Sequence, residues 1–361
     1  MQNLSMMIKP VSGLCNMRCR YCFYRDEMER RRESMLPPMS RETMETLVRR
    51  AMEEAGGSVS FVFQGGEPTL AGLDFFQAFA DAERRWNTRG VKVYHSLQTN
   101  GYVLSDEMIA FFAREKYLLG VSLDGGPSTH DALRLDGAEQ GTFRKVRQTC
   151  RRLRQAGVEM NILCVVTEQV ARRPLETFET LRNYGYLQFI PCLDGLDQEQ
   201  TSFSLTPQSY LAFLKTTFDL YERSVWQGKP VSVRNFDNYI AMLLGRPPEN
   251  CGMSGRCGHY YLIESNGDVY PCDFYVLDGY KLGNIRDSSF AQLAQSPIGL
   301  RFVEESIPLP EECRQCRWLS LCRNGCKRER QNGRSRWCQV YQDFFAYSYE
   351  RMKRLAQLAA K

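Results

Sequence analysis

Between the N-terminus and about Asp194, six short apolar segments alternate with helical patterns, and this alternation constrains the fold more than any other property of the chain. The strand candidates are Ser5–Pro10, Ser58–Phe63, Val91–Leu97, Tyr117–Leu123, Met160–Val166 and Leu187–Leu193. Each is short, apolar and rich in β-branched or aromatic residues, as strands buried on both faces tend to be. Helical stretches stand between them at Ser40–Ala55, Leu70–Trp86, Asp106–Arg114, Thr142–Gln155 and Pro174–Tyr184. Ser40 is placed to cap its helix, with Glu42 in the first turn, and Gly157 falls where another helix should stop. Strand–helix repetition of this kind predicts an α/β fold with a parallel sheet, open or curled into a partial (β/α)6, TIM-like barrel.

Polar and glycine-bearing motifs follow the strands: Gln64-Gly65-Gly66-Glu67-Pro68, Gln98-Thr99-Asn100-Gly101, Asp124-Gly125-Gly126 and Asp194-Gly195. The carboxyl ends of parallel strands host the ligand site in such folds. Any one of these motifs alone would pass as a loop-starting turn. The loop after the first strand carries Cys15-Asn16-Met17-Arg18-Cys19-Arg20-Tyr21-Cys22, three thiols at C-x3-C-x2-C spacing. A structural zinc wants four ligands and a [4Fe–4S] cluster is normally held by four cysteines. Three thiols with no local fourth predict a cluster with one open iron, beside the aromatic Tyr21, Phe23 and Tyr24.

Beyond Pro207–Trp226, read as a helix, come a short strand near Val231–Arg234 and a helix over Asn238–Leu244. A cysteine-rich region then runs from Cys251 to Cys338, ahead of a final helix over Cys338–Ala360. Within it Tyr260–Glu264 and Asp268–Tyr270 flank Ser265-Asn266-Gly267, a hairpin signal. Its eight thiols are Cys251, Cys257, Cys272, Cys313, Cys316, Cys322, Cys326 and Cys338. That is the number two fully ligated [4Fe–4S] clusters need, and two four-cysteine zinc sites would use the same count. Iron–sulfur is the more economical choice beside an N-terminal cluster. Cys150, Cys164 and Cys192 sit on apolar patterns and read as buried small hydrophobes.

Composition narrows the classes. The 361 residues carry 14 cysteines, a density found in secreted disulfide scaffolds, but those are small and follow a signal peptide. The N-terminal apolar run is too short for a secretory signal, and no stretch is long enough to span a membrane. Grouped thiols then point to metal or cluster ligation in a reducing cytoplasm. The +5 formal charge, from 47 Lys and Arg against 42 Asp and Glu, comes without a basic tract and gives no support for nucleic-acid binding.

At these motifs the chain resembles the radical S-adenosylmethionine superfamily with a C-terminal SPASM domain. The cysteine loop matches the superfamily signature, Gly65-Gly66-Glu67 is similar to its GGE motif, and the later cysteines fit the SPASM pattern. Further stretches resemble the anaerobic sulfatase-maturating enzymes: Phe63 to Leu73, Ser96 to Gly101, Asn161 to Thr167, Leu187 to Ile190 and Tyr270 to Asp278. The resemblance implies a radical SAM core over 1–205, a connecting helical segment over 206–250 and a SPASM domain over 251–361, with β-hairpin and C-terminal helix.

It implies three [4Fe–4S] clusters and S-adenosylmethionine. Cys15, Cys19 and Cys22 would hold the open cluster. Cys251, Cys257, Cys272 and Cys326 would hold one auxiliary cluster, and Cys313, Cys316, Cys322 and Cys338 the other. Tyr21, Gly66, Glu67, Ser122, Arg134 and Leu193 would contact S-adenosylmethionine, Arg134 through its planar fork. Tyr24 and Gln64 would orient the substrate. Reductive cleavage of the cofactor would yield a 5′-deoxyadenosyl radical that takes a Cβ hydrogen from a cysteine or serine in a sulfatase, giving Cα-formylglycine. Asp273 would be the base. Partners implied are the sulfatase polypeptide and a low-potential donor such as flavodoxin or ferredoxin, for a cytoplasmic monomer that binds neither nucleic acid nor membrane. The residues leave open whether the target is cysteine or serine. Two other readings stand: a SPASM peptide modifier forming thioether or carbon–carbon crosslinks, and a zinc-bound interaction module. The Arg25–Pro38 segment, rich in Arg, Glu and Met, is expected to be a loop.

Overall fold

The structure, a computed structural model, describes residues 1–360. The principal strands are β1 (Asn3–Ile8), β2 (Ser58–Phe63), β3 (Lys92–Thr99), β4 (Leu118–Ser122), β5 (Met160–Val166), β6 (Tyr186–Pro191), β7 (Ser232–Val233), β8 (Tyr261–Ile263), β9 (Asp268–Tyr270) and β10 (Gly283–Asn284). The six expected strands are all present, two of them at the expected bounds and the other four displaced by one or two residues at each end. The chain forms two compact units, each drawn from separated stretches of sequence. The first comprises Met1–Ser122, Leu133–Met160 and His259–Phe302; the second comprises Leu123–Ala132, Asn161–Gly258 and the chain from Val303 onward.

In the first unit the strands lie in the order β10-β9-β8-β1-β2-β3-β4. From β8 to β4 all are parallel, with Ile8 opposite both Ile263 and Phe63, and Phe63 opposite Leu97. This register brings the carboxyl ends of β1, β2 and β3 to one edge, so the loops that follow them are neighbours. Helix Arg41–Glu54 begins where Ser40 Oγ accepts the Thr43 amide at 3.1 Å, as the sequence predicts. Leu47, Val48 and Ala51 bury its inner face. Phe61, Phe63, Phe76, Phe79, Phe112 and Tyr117 form a buried aromatic core under the sheet, mostly edge to face. Each such side chain contributes roughly 1.5–3 kcal/mol by leaving water. β8 and β9 form the expected antiparallel hairpin, turned at Gly267 with φ +87°.

Two elements differ from what the sequence predicts. The segment after Cys22 is not all loop: Phe23–Glu29 is a helix, and it buries Tyr24 and Glu27. The helix expected over Asn238–Leu244 starts earlier, at Arg234. The first miss has a plain cause: seven residues with charges at four of them carry too short an apolar pattern to read as amphipathic.

The second unit contains β5, β6 and β7, parallel in that order, and the long helices Pro207–Trp226 and Cys338–Ala359. Phe218, Phe236 and Phe344 pack between these helices, and Arg351 reaches from the last to Asp219 and Glu222 on the first. Cys150, Cys164 and Cys192 are buried, as expected. Among the described residues no helix is long and apolar enough to cross a membrane.

Candidate active site

The chain leaves β1 at Ile8 and passes through the three-cysteine loop to the short helix at Phe23. Backbone hydrogen bonds hold this loop from two sides. Arg18 and Arg20 donate their amides to the carbonyls of Leu135 and Leu133, at 2.7 and 2.9 Å. Gly66 and Glu67, just past β2, donate theirs to Ser12 and Leu14, at 2.9 and 2.8 Å. Gly66 must be glycine here, since a Cβ would stand 2.1 Å from the Leu14 carbonyl oxygen.

The Glu67 carboxylate is buried and wholly committed to the protein. Oε1 accepts from the Thr69 amide and hydroxyl and from Thr99 Oγ1, and Oε2 accepts from the Asn100 amide at 2.7 Å. It ties the loop after β2 to the end of β3, so its side chain acts through the position of that loop. Asn100 extends the chain of contacts: its Nδ2 donates to Asn16 Oδ1 at 2.8 Å and lies 3.7 Å from the Cys15 sulfur. On the other side Arg134 Nη1 is 3.9 Å from the Cys19 sulfur, and its guanidinium lies 5.4 Å from the Tyr21 ring centre. Burial pushes the Cys22 thiol up, with Arg134 and Arg25 pulling it back. Ser122 closes β4 in this unit, whereas Leu193 follows β6 in the second unit.

A second centre lies beyond the hairpin. Asp273 opens a single 3-10 turn directly after Cys272 and is buried. Its Oδ2 accepts from Tyr24 Oη at 2.7 Å and from Gln64 Nε2 at 3.0 Å, and Gln64 Nε2 is also 2.7 Å from the Tyr24 oxygen. Its Oδ1 has no hydrogen bond and faces Lys9 Nζ at 3.4 Å. Gln64 Oε1, also buried, has no partner. Burial raises the Asp273 carboxyl above its usual range, opposed by the Lys9 charge and the Tyr24 hydrogen bond. Burial and the neighbouring carboxylate hold Tyr24 well above its usual value, so the phenol stays a donor. The Phe23 and Phe274 rings, 5.1 Å apart and edge on, join the residue after Cys22 to the residue after Asp273.

In the second unit Cys313, Cys316, Cys322 and Cys338 line one cavity with Trp318, Leu319 and Tyr341. Burial and mutual repulsion raise Cys322 to about 11, and Cys326, which stands near Cys251 and Cys257, is pushed up to about 12 chiefly by burial. None of the cysteines is in a disulfide. Apolar walls around several unpaired thiols fit a cationic metal cluster, because bound metal turns such thiols into thiolates and removes their repulsion.

The Radical SAM superfamily profile matches residues 10–181, and that of SPASM, an iron–sulfur cluster-binding domain, matches 251–317. A cysteine-type anaerobic sulfatase-maturating enzyme of Clostridium novyi is 39% identical over 100% of this chain and 99% of its own. The chain belongs to the anaerobic sulfatase-maturating enzymes. It is a radical SAM oxidoreductase, whose cofactors are [4Fe–4S] clusters and S-adenosylmethionine. A serine-type maturating enzyme of Bacteroides thetaiotaomicron is 30% identical over 95% of this chain and 89% of its own. Native anSMEcpe with bound AdoMet and Cp18Cys peptide matches the structure at a TM-score of 0.94 and 38% identity, over 99% of both chains.

Within this maturating-enzyme fold the structure joins Tyr24, Gln64 and Asp273, as well as the cysteine loop with Gly66, Glu67, Tyr21 and Arg134. Four residues around Asp273 escaped the sequence reading: Lys9, Glu27, Arg31 and Glu264. Only Lys9 left a signal, a lone charge between the apolar β1 and Pro10.

Proposed function

We propose that the chain oxidises a cysteine in a sulfatase polypeptide to Cα-formylglycine, with Asp273 as the base. The observation that carries this reading is the Asp273 carboxylate itself, buried, with Oδ2 bound by two donors and Oδ1 keeping its lone pairs. The higher identity to a cysteine-type than to a serine-type relative, 39% against 30%, favours cysteine as the target.

Cys15, Cys19 and Cys22 would hold the cluster that binds S-adenosylmethionine, against the Gly66 backbone and with Tyr21, Ser122 and Arg134 as its other contacts. Glu67 would serve that site by fixing the loop. The eight cysteines from Cys251 to Cys338 match in number the ligands of two closed clusters, and a low-potential donor such as a flavodoxin or ferredoxin would supply electrons. When bound, the open cluster and S-adenosylmethionine supply a 5′-deoxyadenosyl radical that takes a hydrogen from the substrate Cβ. The substrate radical then has to lose one more electron, which one of the closed clusters would accept, and its thiol proton; hydrolysis of the thioaldehyde would release sulfide and leave the aldehyde. The protein's own part is to remove the thiol proton. Asp273 Oδ1, which faces only the Lys9 ammonium, would be the oxygen that accepts this proton, and Gln64 Oε1 is an acceptor able to orient the peptide. Tyr24 and Gln64 hold Oδ2, so the carboxylate cannot swing to present it.

The test is incubation of anaerobically reconstituted enzyme with Cys-x-Pro-x-Arg and Ser-x-Pro-x-Arg peptides, read by mass spectrometry. An aldehyde product in the cysteine peptide, formed faster than in the serine peptide, is expected. Intact peptides alongside continuing S-adenosylmethionine cleavage would remove the sulfatase reading.

A further inference from the structure

Behind Asp273 lies a buried cluster of charge with an odd sum. Lys9 and Arg31 are cations; Glu27, Glu264 and Asp273 are carboxyls. Lys9 Nζ stands 3.4 Å from Asp273 Oδ1, 3.8 Å from Glu264 Oε1 and 3.9 Å from Glu27 Oε2, and 4.4 Å from the Tyr24 ring centre. The side chains of Lys9, Glu27, Glu264 and Asp273 are each at most 10% exposed, and that of Arg31 only 5%. With every member ionised, three negative charges face two positive ones out of water. An uncompensated charge in such a place is relieved by taking up a proton.

The hydrogen bonds say which carboxyl takes it. Asp273 has two donors on Oδ2 and the ammonium beside Oδ1. Glu264 accepts from Arg31 Nη1 at 2.8 Å and from the Ser265 amide at 3.4 Å. Glu27 has no side-chain donor, only the Val276 amide acts on it from the backbone, and its one ion-pair partner is the Lys9 ammonium, farther from it than from either other carboxyl. The groups facing Glu27 are Lys9 from the end of β1, Glu264 and Asp273 from the hairpin and the turn after it, and Tyr24 and Arg31 on either side along its own segment.

We propose that Lys9 and Glu27 are positioning residues for Asp273: Lys9 clamps the base from the strand end, and Glu27, as a neutral acid, carries the proton that balances the cluster. The inference rests on Asp273 being the base. Burial pushes Glu27 up to about 8, with Asp273 and Glu264 adding to the shift while the Lys9 charge and the Val276 amide oppose it. Because Glu27 does not compete as an anion, the Lys9 charge is left to Asp273 and Glu264. Lys9 is raised too, by all three carboxyls against its own desolvation, so it stays an ammonium.

The test is pH-difference infrared spectroscopy on the reconstituted holoenzyme, as wild type, Glu27→Gln and Asp273→Asn. The wild type should show the carbonyl stretch of a protonated carboxyl that titrates away near pH 8; in Asp273→Asn, where two carboxyls face two cations, that band should titrate away at lower pH, and Glu27→Gln should lack it. The same titrating band surviving in Glu27→Gln, or its absence from the wild type, overturns the assignment. For Lys9, the readout is product formed per 5′-deoxyadenosine. Lys9→Met should lower that ratio about tenfold or more with the cofactor still cleaved, and Lys9→Arg should restore part of it. An unchanged ratio in Lys9→Met overturns the clamp. Should Lys9→Met fail to fold, Lys9→Arg decides: its longer, planar head cannot reproduce the three contacts, so a wild-type ratio and pH profile there would overturn it. If Asp273→Asn makes product at the full rate, the base reading itself fails, whereas the infrared band bears on Glu27 alone.

Discussion

Four hydrogen bonds converge on the Glu67 carboxylate, and each donor is a group that has no water to turn to. Glu67→Ala would strand the Thr99 hydroxyl and the Thr69 and Asn100 amides, a cost of about 3 kcal/mol. Denaturant unfolding should show that loss, and iron bound at the three-cysteine loop should fall with it, because the loop leans on Gly66 and Glu67. At this scale the cysteines, Gly66 and Asp273 were legible in the sequence, since spacing or the neighbouring motif marks each. Lys9, Glu27, Arg31 and Glu264 were not. They are scattered across more than 250 positions, and a charge on paper is a surface charge until the fold buries it.

Short elements aim the reactive side chains. The helix Phe23–Glu29 puts Tyr24 and Glu27 on one buried face, three residues apart, and the turn after Cys272 brings the Asp273 carboxylate to them. Neither element has the length to announce itself by periodicity. The long ones do: β2 and β5 fall where predicted, and helix Arg41–Glu54 starts at its predicted cap. That cap gives a clean test. Ser40→Ala removes the acceptor for the Thr43 amide and should destabilise the protein by about 1 kcal/mol, read from its denaturation midpoint, with cofactor cleavage unchanged.

At the scale of the molecule, the chain's order and its compact units part company. The hairpin stretch His259–Phe302, which carries Asp273, belongs with the N-terminal strands, because β8 pairs with β1. Sequence order placed that hairpin in a C-terminal domain; strand pairing is a long-range choice that linear patterns do not record. The cysteines lining the cavity in the second unit would have a different duty, since as cluster ligands the four thiols there would stabilise the fold only with metal bound. Cys322→Ala should therefore lower bound iron by about four atoms per chain and reduce thermal stability, both measurable on the reconstituted protein. On the proposed function, radical generation and proton removal fall to separate residues, the cysteine loop for the first and Asp273 for the second. Asp273→Asn tests it most directly, by counting 5′-deoxyadenosine and aldehyde product in one reaction. Cofactor cleavage near the wild-type rate with aldehyde reduced roughly 10²–10⁴-fold is expected; aldehyde formed at the wild-type rate would rule out Asp273 as the base.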